Sequence, residues 1–299
     1  MRVPYSGERQ VEANGITITY DTFGSPEAAP LLLVAGLGMQ LAGWDEDFCQ
    51  RLALRGYWVI RFDNRDVGRS TRFDEAGLPD VNKIAQAVMS KQPLAESAYL
   101  LKDMAADAIG LLDALRIEQA HVVGVSLGGM ILQEMLIHFG ERVKTAVSIM
   151  SNTGNPELPM PTPEALTILM QSSPTEREAY LSHSLKSWRV LAGDHFAFDK
   201  EQVLQKANRI FERGLSPAGT ARQLAAGLAS GSRVEALKGV TTPTLVIHGD
   251  ADPLIRVEGG YETAEAIPNA KLIIIEGMGH SLPIETWPQV VAAIAEHAQ

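Results

Sequence analysis

A serine set between glycines is the first feature of this sequence that suggests chemistry. Gly124, Ser126 and Gly128 match the pattern G-x-S-x-G, at the point where an apolar run gives way to a helical pattern. A sharp turn from strand to helix can hold such a serine hydroxyl above the edge of a sheet. The helix start also presents free N–H groups and a positive dipole end. The pattern predicts a nucleophilic serine. The alternative is a glycine-rich helix start with Ser126 as its N-cap.

Two later loops offer the partners that a nucleophilic serine needs. A serine hydroxyl attacks poorly until a base takes its proton, and a third group must orient that base. Asp250 and Asp252 follow one apolar run, and His280 follows the next. We therefore predict Ser126, Asp252 and His280 as the catalytic residues. Asp250 stands closer to the end of its strand, and we expect it to shape the turn.

A metal site is an alternative use of the same loops. His248, Asp250, Asp252 and His280 are all potential ligands. That interpretation leaves Ser126 without a purpose. The sequence therefore predicts no metal and no cofactor.

The elements that must position these residues follow an alternating pattern. Apolar runs predict strands at 16–22, 30–36, 57–63, 120–125, 143–150, 243–250 and 271–277. Helical spacing predicts helices near 45–55, 101–116, 127–140, 257–267 and 286–298. This alternation is typical of the α/β class, with a mostly parallel, doubly wound sheet. Ligands of such sheets bind beyond the carboxyl ends of the strands, which is where the three predicted residues fall.

The alternation stops in the middle of the chain. Residues 151–164 hold four prolines, and helical patterns without a strand continue to about residue 232. We therefore predict a core made of residues 1–151 and 233–299. Residues 152–232 would form an inserted helical lid over the carboxyl edge of the sheet.

The lid should determine which substrate enters. Its large apolar residues are Met160, Leu166, Leu169, Met170, Tyr180, Trp188, Phe196, Phe198, Ile210 and Phe211. They favour an apolar or aromatic substrate, although many of them could simply pack the lid onto the sheet. The lid also carries acidic residues at helical spacing, namely Glu176, Glu178, Glu201 and Glu212. These could hold the free amine of a peptide substrate, or they could form a solvated face.

Composition narrows the class of protein. The chain has 299 residues, a net charge of −10 and a single cysteine, Cys49. The length suits one large domain with an inserted lobe. The acidic charge argues against nucleic acid or an anionic membrane as partner. One cysteine permits no internal disulfide, and the polar N-terminus has no signal-peptide pattern. We therefore predict a cytoplasmic protein that acts on a small molecule. The oligomeric state cannot be read from the sequence.

Taken together, the motifs resemble those of α/β-hydrolase-fold serine esterases over residues 10 to 297. The resemblance rests on LLLVAGLG (31–38), FDNRDVGRS (62–70), GVSLGG (124–129), HGDADPLI (248–255) and GMGH (277–280). Within the family, Trp44 and the stretch FDNRDVGRS resemble the aclacinomycin methylesterase-like group. The resemblance implies the family fold and an inserted lid.

The resemblance also implies an oxyanion hole made of two backbone N–H groups. By position in the motifs, Leu127 and Leu37 would supply them. The first glycine loop departs from the family pattern, since Ala35 replaces the usual histidine. In the second loop, Asp66 stands where glycine is usual. Its neighbours Asp63, Arg65 and Ser70 are expected to fix the loop beside the active site rather than to catalyse.

Acyl transfer to water is the reaction that this arrangement favours. We predict a carboxylic ester hydrolase that forms an acyl-serine intermediate on a small to medium, apolar ester. Dehalogenases and epoxide hydrolases of the same fold use an aspartate nucleophile, and Ser126 argues against both classes. Other reactions on the same triad stay open, namely C–C bond hydrolysis, amide cleavage by an aminopeptidase, and perhydrolysis. A ligand-binding receptor that kept the fold is the alternative outside enzymes.

Overall fold

One mixed sheet forms the centre of the protein. The computed structural model describes residues 3–92, 94 and 96–298. Its strands are β1 (Arg9–Ala13), β2 (Ile16–Phe23), β3 (Ala29–Val34), β4 (Tyr57–Phe62), β5 (Ala120–Val125), β6 (Val143–Ile149), β7 (Thr244–Gly249) and β8 (Lys271–Ile275). They lie in the order β1-β2-β4-β3-β5-β6-β7-β8. The pairs β1–β2 and β2–β4 are antiparallel, and the other neighbours are parallel.

Helices connect the strands and cover both faces of the sheet. They are α1 (Glu46–Ala53), α2 (Val81–Ser90), α3 (Leu101–Ala114), α4 (Leu127–His138), α5 (Pro163–Met170), α6 (Arg177–Ala192), α7 (Lys200–Arg213), α8 (Pro217–Ala229), α9 (Val234–Leu237), α10 (Glu258–Ala266) and α11 (Trp287–His297). Each parallel connection needs such a crossover, because a tight turn cannot return the chain to the same end of the sheet.

The residues of β3 show why the inner strands are almost wholly apolar. Leu32 and Val34 pack into the core on the face covered by α3 and α4. Leu31 and Leu33 pack into the second core, which α1 and α11 cover. Side chains alternate between the two faces of a strand, so a strand covered on both sides must be apolar at every position. This arrangement confirms the predicted α/β fold class.

Two elements were not expected from the sequence. Strand β1 reads RQVEA and is largely exposed at the edge of the sheet. It therefore lacks the alternation of apolar residues that predicts a strand. It is held by antiparallel pairing with β2. Helix α2 lies in a stretch for which the sequence predicts no element. The structure adds both without changing the order of the predicted strands.

The segment between β6 and β7 contains α5 to α9, and its described residues form no strand. Two of its helices bind the core through buried arginines. Arg213 of α7 contacts the carboxylate of Asp63, and Arg222 of α8 binds both oxygens of Asp66 at 2.9 and 2.7 Å. The division into a core and a lid at residues 152 and 232 stays a prediction. Among the described residues, no helix is long and apolar enough to cross a membrane.

The turn between β5 and α4 depends on close backbone contacts. Ser126 has φ 53° and ψ −121°, a conformation that is unfavourable for a side-chain-bearing residue. A Cβ on Gly124 would lie 2.2 Å from the carbonyl oxygen of Gly128, and one on Gly128 would lie 2.2 Å from that of Val34. Both glycines are therefore needed for the chain to turn this sharply beside β3.

Replacing Gly128 with alanine should lower the free energy of unfolding by at least about 1–3 kcal/mol, because the methyl group must displace backbone atoms. Urea unfolding measures this change. Gly227→Ala in α8 is the matched control, since its Cβ would meet only Leu127 Cδ1 at 3.4 Å. That change should be neutral or should stabilise by up to about 1 kcal/mol. Equal stability of the two variants would contradict the close packing at Gly128.

Candidate active site

The structure brings the three predicted catalytic side chains into one chain of contacts. Ser126 follows β5, Asp252 follows β7 and His280 follows β8. These strands lie within the run β5-β6-β7-β8, so all three residues lie beyond the carboxyl ends of strands at one side of the sheet. Nε2 of His280 lies 3.0 Å from Oγ of Ser126. Nδ1 of the same ring lies 2.7 Å from Oδ2 of Asp252. Both distances are hydrogen-bond distances, and the imidazole bridges the hydroxyl and the carboxylate.

Asp252 is fully buried and accepts hydrogen bonds at both oxygens. The backbone amides of Leu254 and Ile255 donate to Oδ1 at 2.8 and 2.9 Å, while Oδ2 faces His280. Burial raises the pKa of the Asp252 carboxyl, but the charge of His280 and the hydrogen bonds from His248 and His280 outweigh burial and lower it to about 2. Asp252 is therefore ionised at neutral pH and can stabilise a positive charge on the ring.

Asp250 has a different role from Asp252. Its Oδ1 accepts a hydrogen bond from the amide of Gly277 at 2.7 Å, which ties the loop after β7 to the loop after β8. His248 approaches the same carboxylate oxygen as His280, with Nε2 3.5 Å from Oδ2 of Asp252 and 2.8 Å from the carbonyl oxygen of Ile255. Among the described residues, no group of three His, Cys, Asp or Glu side chains is arranged to hold a metal ion.

Ser126 precedes α4 but its hydroxyl does not cap that helix. No capping hydrogen bond runs from its side chain to the described start of the helix. Its carbonyl oxygen instead accepts a hydrogen bond from Oγ of Ser151 at 2.8 Å, and its amide donates to Ile149 at 2.9 Å. These bonds fix the strained backbone and leave Oγ for His280. Ser126 is thus the N-cap residue of α4 by position, but its hydroxyl contacts His280 and makes no capping bond.

The predicted oxyanion donors belong to the start of α4 and to the loop after β3. Leu127 is the first residue of α4. Leu37 lies in the loop after β3, where a Cβ on Gly36 would be 3.9 Å from Oγ of Ser126. Neither amide has a backbone acceptor among the described residues. Both N–H groups are thus unused by the described backbone. Their role as oxyanion donors stays a prediction.

A glutamine from α8 anchors the loop in which the usual histidine is replaced by Ala35. Oε1 of Gln223 accepts a hydrogen bond from the amide of Gly38 at 2.9 Å. Its Nε2 donates to the carbonyl oxygen of Arg65 at 2.8 Å. The side chain is fully buried, so both of its bonds are shielded from water. Gln223 was not singled out in the sequence, because a contact across 185 residues leaves no local pattern.

Replacing Gln223 with leucine should lower kcat by about 10- to 100-fold with little change in KM. The Gly38 amide would lose its buried acceptor, and the neighbouring Leu37 amide would shift from its position beside Ser126. Steady-state kinetics on one ester measures the effect. Gln223→Glu keeps the acceptor and should lose less. Gln205→Leu, an exposed change in the same segment, is the control, and an equal loss there would contradict the anchoring role.

The loop that contains Asp66 explains its departure from the family pattern. Asp66 has φ 72°, the left-handed conformation that usually favours glycine. Its carboxylate accepts hydrogen bonds from Tyr99 at 2.6 Å and from the amide of Phe73 at 2.8 Å, besides its ion pair with Arg222. These bonds hold the carboxyl in its ionised form, and the pKa of Asp66 is lowered although burial opposes this. An aspartate is less favourable than glycine at this positive φ, but it gains an ion pair with Arg222 of α8.

A cavity of about 420 Å³ opens in front of Ser126 and His280. This volume falls within the range of small-molecule sites. Six of the ten apolar residues predicted for the lid line it, namely Leu169, Tyr180, Trp188, Phe196, Phe198 and Ile210. Core residues complete the wall, among them Met39, Phe48 and Met150. The sequence pattern does not predict their role. Trp44, which contributes to the resemblance to the methylesterase-like group, lines the cavity as well.

The four lid glutamates take no part in this wall as far as the described residues show. Glu176, Glu178, Glu201 and Glu212 are all exposed, and none of them lines the cavity. The carboxylates that do line it are those of Asp45 and Asp199. The interpretation of the glutamates as an amine-binding cluster therefore has no geometric support.

Comparison with known proteins places the chain. Residues 29–286 match the family model of the alpha/beta hydrolase fold. The chain is 31% identical to a rhodomycin D methylesterase of Streptomyces peucetius, over 97% of this chain and 98% of that protein. It is 34% identical to a poly(3-hydroxyalkanoate) depolymerase of Ectopseudomonas oleovorans, over 74% of this chain and 76% of that protein.

The solved structures agree on the fold. A 2-hydroxy-6-oxo-6-phenylhexa-2,4-dienoate hydrolase from Rhodococcus sp. superposes with a TM-score of 0.77 at 19% identity, and covers 99% of both chains. At this identity the likeness shows the fold alone. The predicted resemblance to α/β-hydrolase-fold esterases, and the prediction of an enzyme, are confirmed by the family model and the sequence relatives. The chain therefore belongs to the α/β-hydrolase family, and it is a hydrolase that resembles a methylesterase over nearly its whole length.

Proposed function

We propose that this protein is a carboxylic ester hydrolase in which Ser126 is the nucleophile, His280 the general base and Asp252 its orienting carboxylate. The observation that carries the proposal is the contact chain of 3.0 Å and 2.7 Å from Ser126 through His280 to Asp252. That chain opens onto a mostly apolar cavity. The methylesterase relative supports an ester as substrate.

The reaction would proceed in two halves. His280 takes the proton of Ser126 as Oγ attacks the ester carbonyl, and the backbone amides of Leu37 and Leu127 bind the resulting oxyanion. The imidazolium then protonates the leaving alcohol, which departs and leaves an acyl group on Ser126. In the second half His280 takes a proton from water, the hydroxide attacks the acyl group, and Oγ recovers its proton. Asp252 stabilises the imidazolium in both halves. No step requires a metal or a cofactor.

The cavity suggests the class of ester. Aromatic and aliphatic side chains of α6, α7 and the segment between them form one part of its wall. We therefore propose that residues 152–232 act as a lid and that the substrate is an ester of a small to medium, apolar or aromatic acid. A methyl group is a suitable leaving alcohol, by analogy with the methylesterase relative. The cytoplasmic location and the exclusion of nucleic acid and membrane partners remain predictions.

Hydrolysis of matched substrates tests this proposal. We expect release of methanol from aromatic methyl esters, and cleavage of p-nitrophenyl acetate, butyrate and octanoate with a preference that reports the size of the cavity. The same protein should not cleave a vinylogous 1,5-diketone, the substrate type of C–C bond hydrolases. Cleavage of the diketone without any ester cleavage would replace the proposal with C–C hydrolysis. If the folded protein catalysed neither reaction, the receptor interpretation would be favoured.

A further inference from the structure

One lysine lies in the mostly apolar wall of the cavity. Lys206 of α7 is the sole lysine or arginine among the described residues that line it, and its side chain is half-buried. Its Nζ donates a hydrogen bond to the carbonyl oxygen of Gly43 at 3.1 Å. An ammonium group has three donors. Among the described residues only the carbonyl oxygen of Gly43 accepts from it, so two of its three donors are available to a bound molecule.

The carboxylates around Lys206 do not pair with it. No Asp or Glu oxygen of the described residues lies within 4.0 Å of its Nζ. Asp45 and Asp199 line the same cavity, but each uses an oxygen to cap a helix, at Asp47 of α1 and Gln202 of α7. Their charges lie at partly or fully exposed positions, where water screens them.

Lys206 is a partly buried ammonium group without a carboxylate partner among the described residues. Burial lowers the pKa of the Lys206 ammonium, while the charge of Asp45 acts in the opposite direction and Arg209 adds to the lowering. Removing a charged group from water is costly unless a partner compensates it. An apolar substrate would bury the ammonium further and leave that cost in place. A substrate with an anionic oxygen would offset it.

We propose that Lys206 binds a carboxylate of the substrate, so that the preferred esters are monoesters of aromatic dicarboxylic acids. The ester carbonyl would lie at Ser126 and the free carboxylate at Lys206, with the aromatic ring between them against the lid. This rests on the proposed ester hydrolysis, which it refines by naming the second functional group of the substrate. The charge-assisted hydrogen bond fixes the orientation in which the ester reaches the serine.

Binding to the Ser126→Ala protein tests the site without hydrolysis. The ligands are monomethyl terephthalate and methyl terephthalamate, which have the same shape but carry a carboxylate and a neutral carboxamide respectively. Calorimetry should show that the carboxylate binds more tightly. Adding Lys206→Met, which removes the charge and keeps an unbranched side chain one atom shorter, should weaken binding of the carboxylate by about 10- to 100-fold and leave the carboxamide unchanged. Thermal unfolding of each variant checks that the protein is folded.

Lys186→Met, an exposed change on α6, is the matched control and should alter neither ligand. Equal binding of the two ligands, or an equal loss for both in Lys206→Met, would overturn the proposal. The kinetics of the otherwise wild-type enzyme separate this result from the proposed function. A carboxylate bound through Lys206 in a protein that cleaves no ester would refute ester hydrolysis and leave the anion site standing. Ester cleavage with no dependence on Lys206 would do the reverse.

Discussion

Replacing Ser126 with alanine should lower kcat for ester hydrolysis by up to ~10⁶. The change removes the one oxygen that lies 3.0 Å from Nε2 of His280, so no acyl-enzyme can form. The fold should be kept, because the Ser126 hydroxyl makes no capping bond to α4. Initial rates with p-nitrophenyl butyrate, together with a melting curve, measure both effects.

Ser151→Ala is the control for a disturbed turn. Its hydroxyl donates to the carbonyl oxygen of Ser126 at 2.8 Å, so its loss perturbs the same backbone without removing the nucleophile. We expect less than about a 10-fold change in kcat there. If Ser126→Ala kept more than about one hundredth of the wild-type kcat, another group would be the nucleophile and the proposed mechanism would be wrong.

Replacing Asp252 with asparagine should lower kcat by about 10⁴. The amide keeps the size of the side chain but cannot stabilise the imidazolium of His280, and it allows the ring to adopt the wrong tautomer. In the native protein the pKa of Asp252 is lowered to about 2 against the effect of burial. The carboxylate is therefore charged throughout the neutral range, and its removal should be felt at every pH at which the enzyme works. The kcat-against-pH profile of the two proteins measures this.

Asp250→Asn is the matched change two residues away. Asp250 accepts from the amide of Gly277 at 2.7 Å, a bond that an asparagine oxygen can also accept. We expect a loss of less than about 10-fold. A larger loss at Asp250 than at Asp252 would reverse the assignment of the orienting carboxylate.

Much of the fold could be predicted because the inner strands are buried on both faces. The run AHVVGV predicted β5 with the bounds that the structure gives, and the carboxyl ends of β5, β7 and β8 then placed Ser126, Asp252 and His280 at one edge of the sheet. Burial leaves a strong apolar pattern in the sequence. Strand β1 escaped notice because it is an edge strand with few apolar residues.

The residues that anchor the site could not be predicted in the same way. Gln223 and Arg222 reach Gly38 and Asp66 across more than 150 positions of the chain. Their neighbours in the sequence show only that they lie on a helix. Their partners depend on how α8 lies on the core, which is a tertiary fact. Asp66 was noticed only as a departure from the family pattern, and its ion pair with Arg222 supplies the reason.

The lid illustrates the same limit. Helical spacing in residues 152–232 indicated helices, but it could not say which side chains face the cavity. Tyr180 and Phe211 have similar character, and their rings lie 5.8 Å apart, yet Tyr180 lines the cavity and Phe211 does not. Lys206 gave no signal in the sequence either, because one lysine on an amphipathic helix is ordinarily a solvated residue.

The most direct test of the account is to trap the acyl-enzyme. The wild-type protein would be mixed with excess p-nitrophenyl butyrate, quenched in acid within the first turnovers, and analysed by intact mass and peptide mapping. The account predicts one butyryl group on the peptide that contains Ser126, and none on the Ser126→Ala protein. A butyryl group on a different residue, or steady turnover with no acylated protein at any time, would contradict the acyl-serine mechanism.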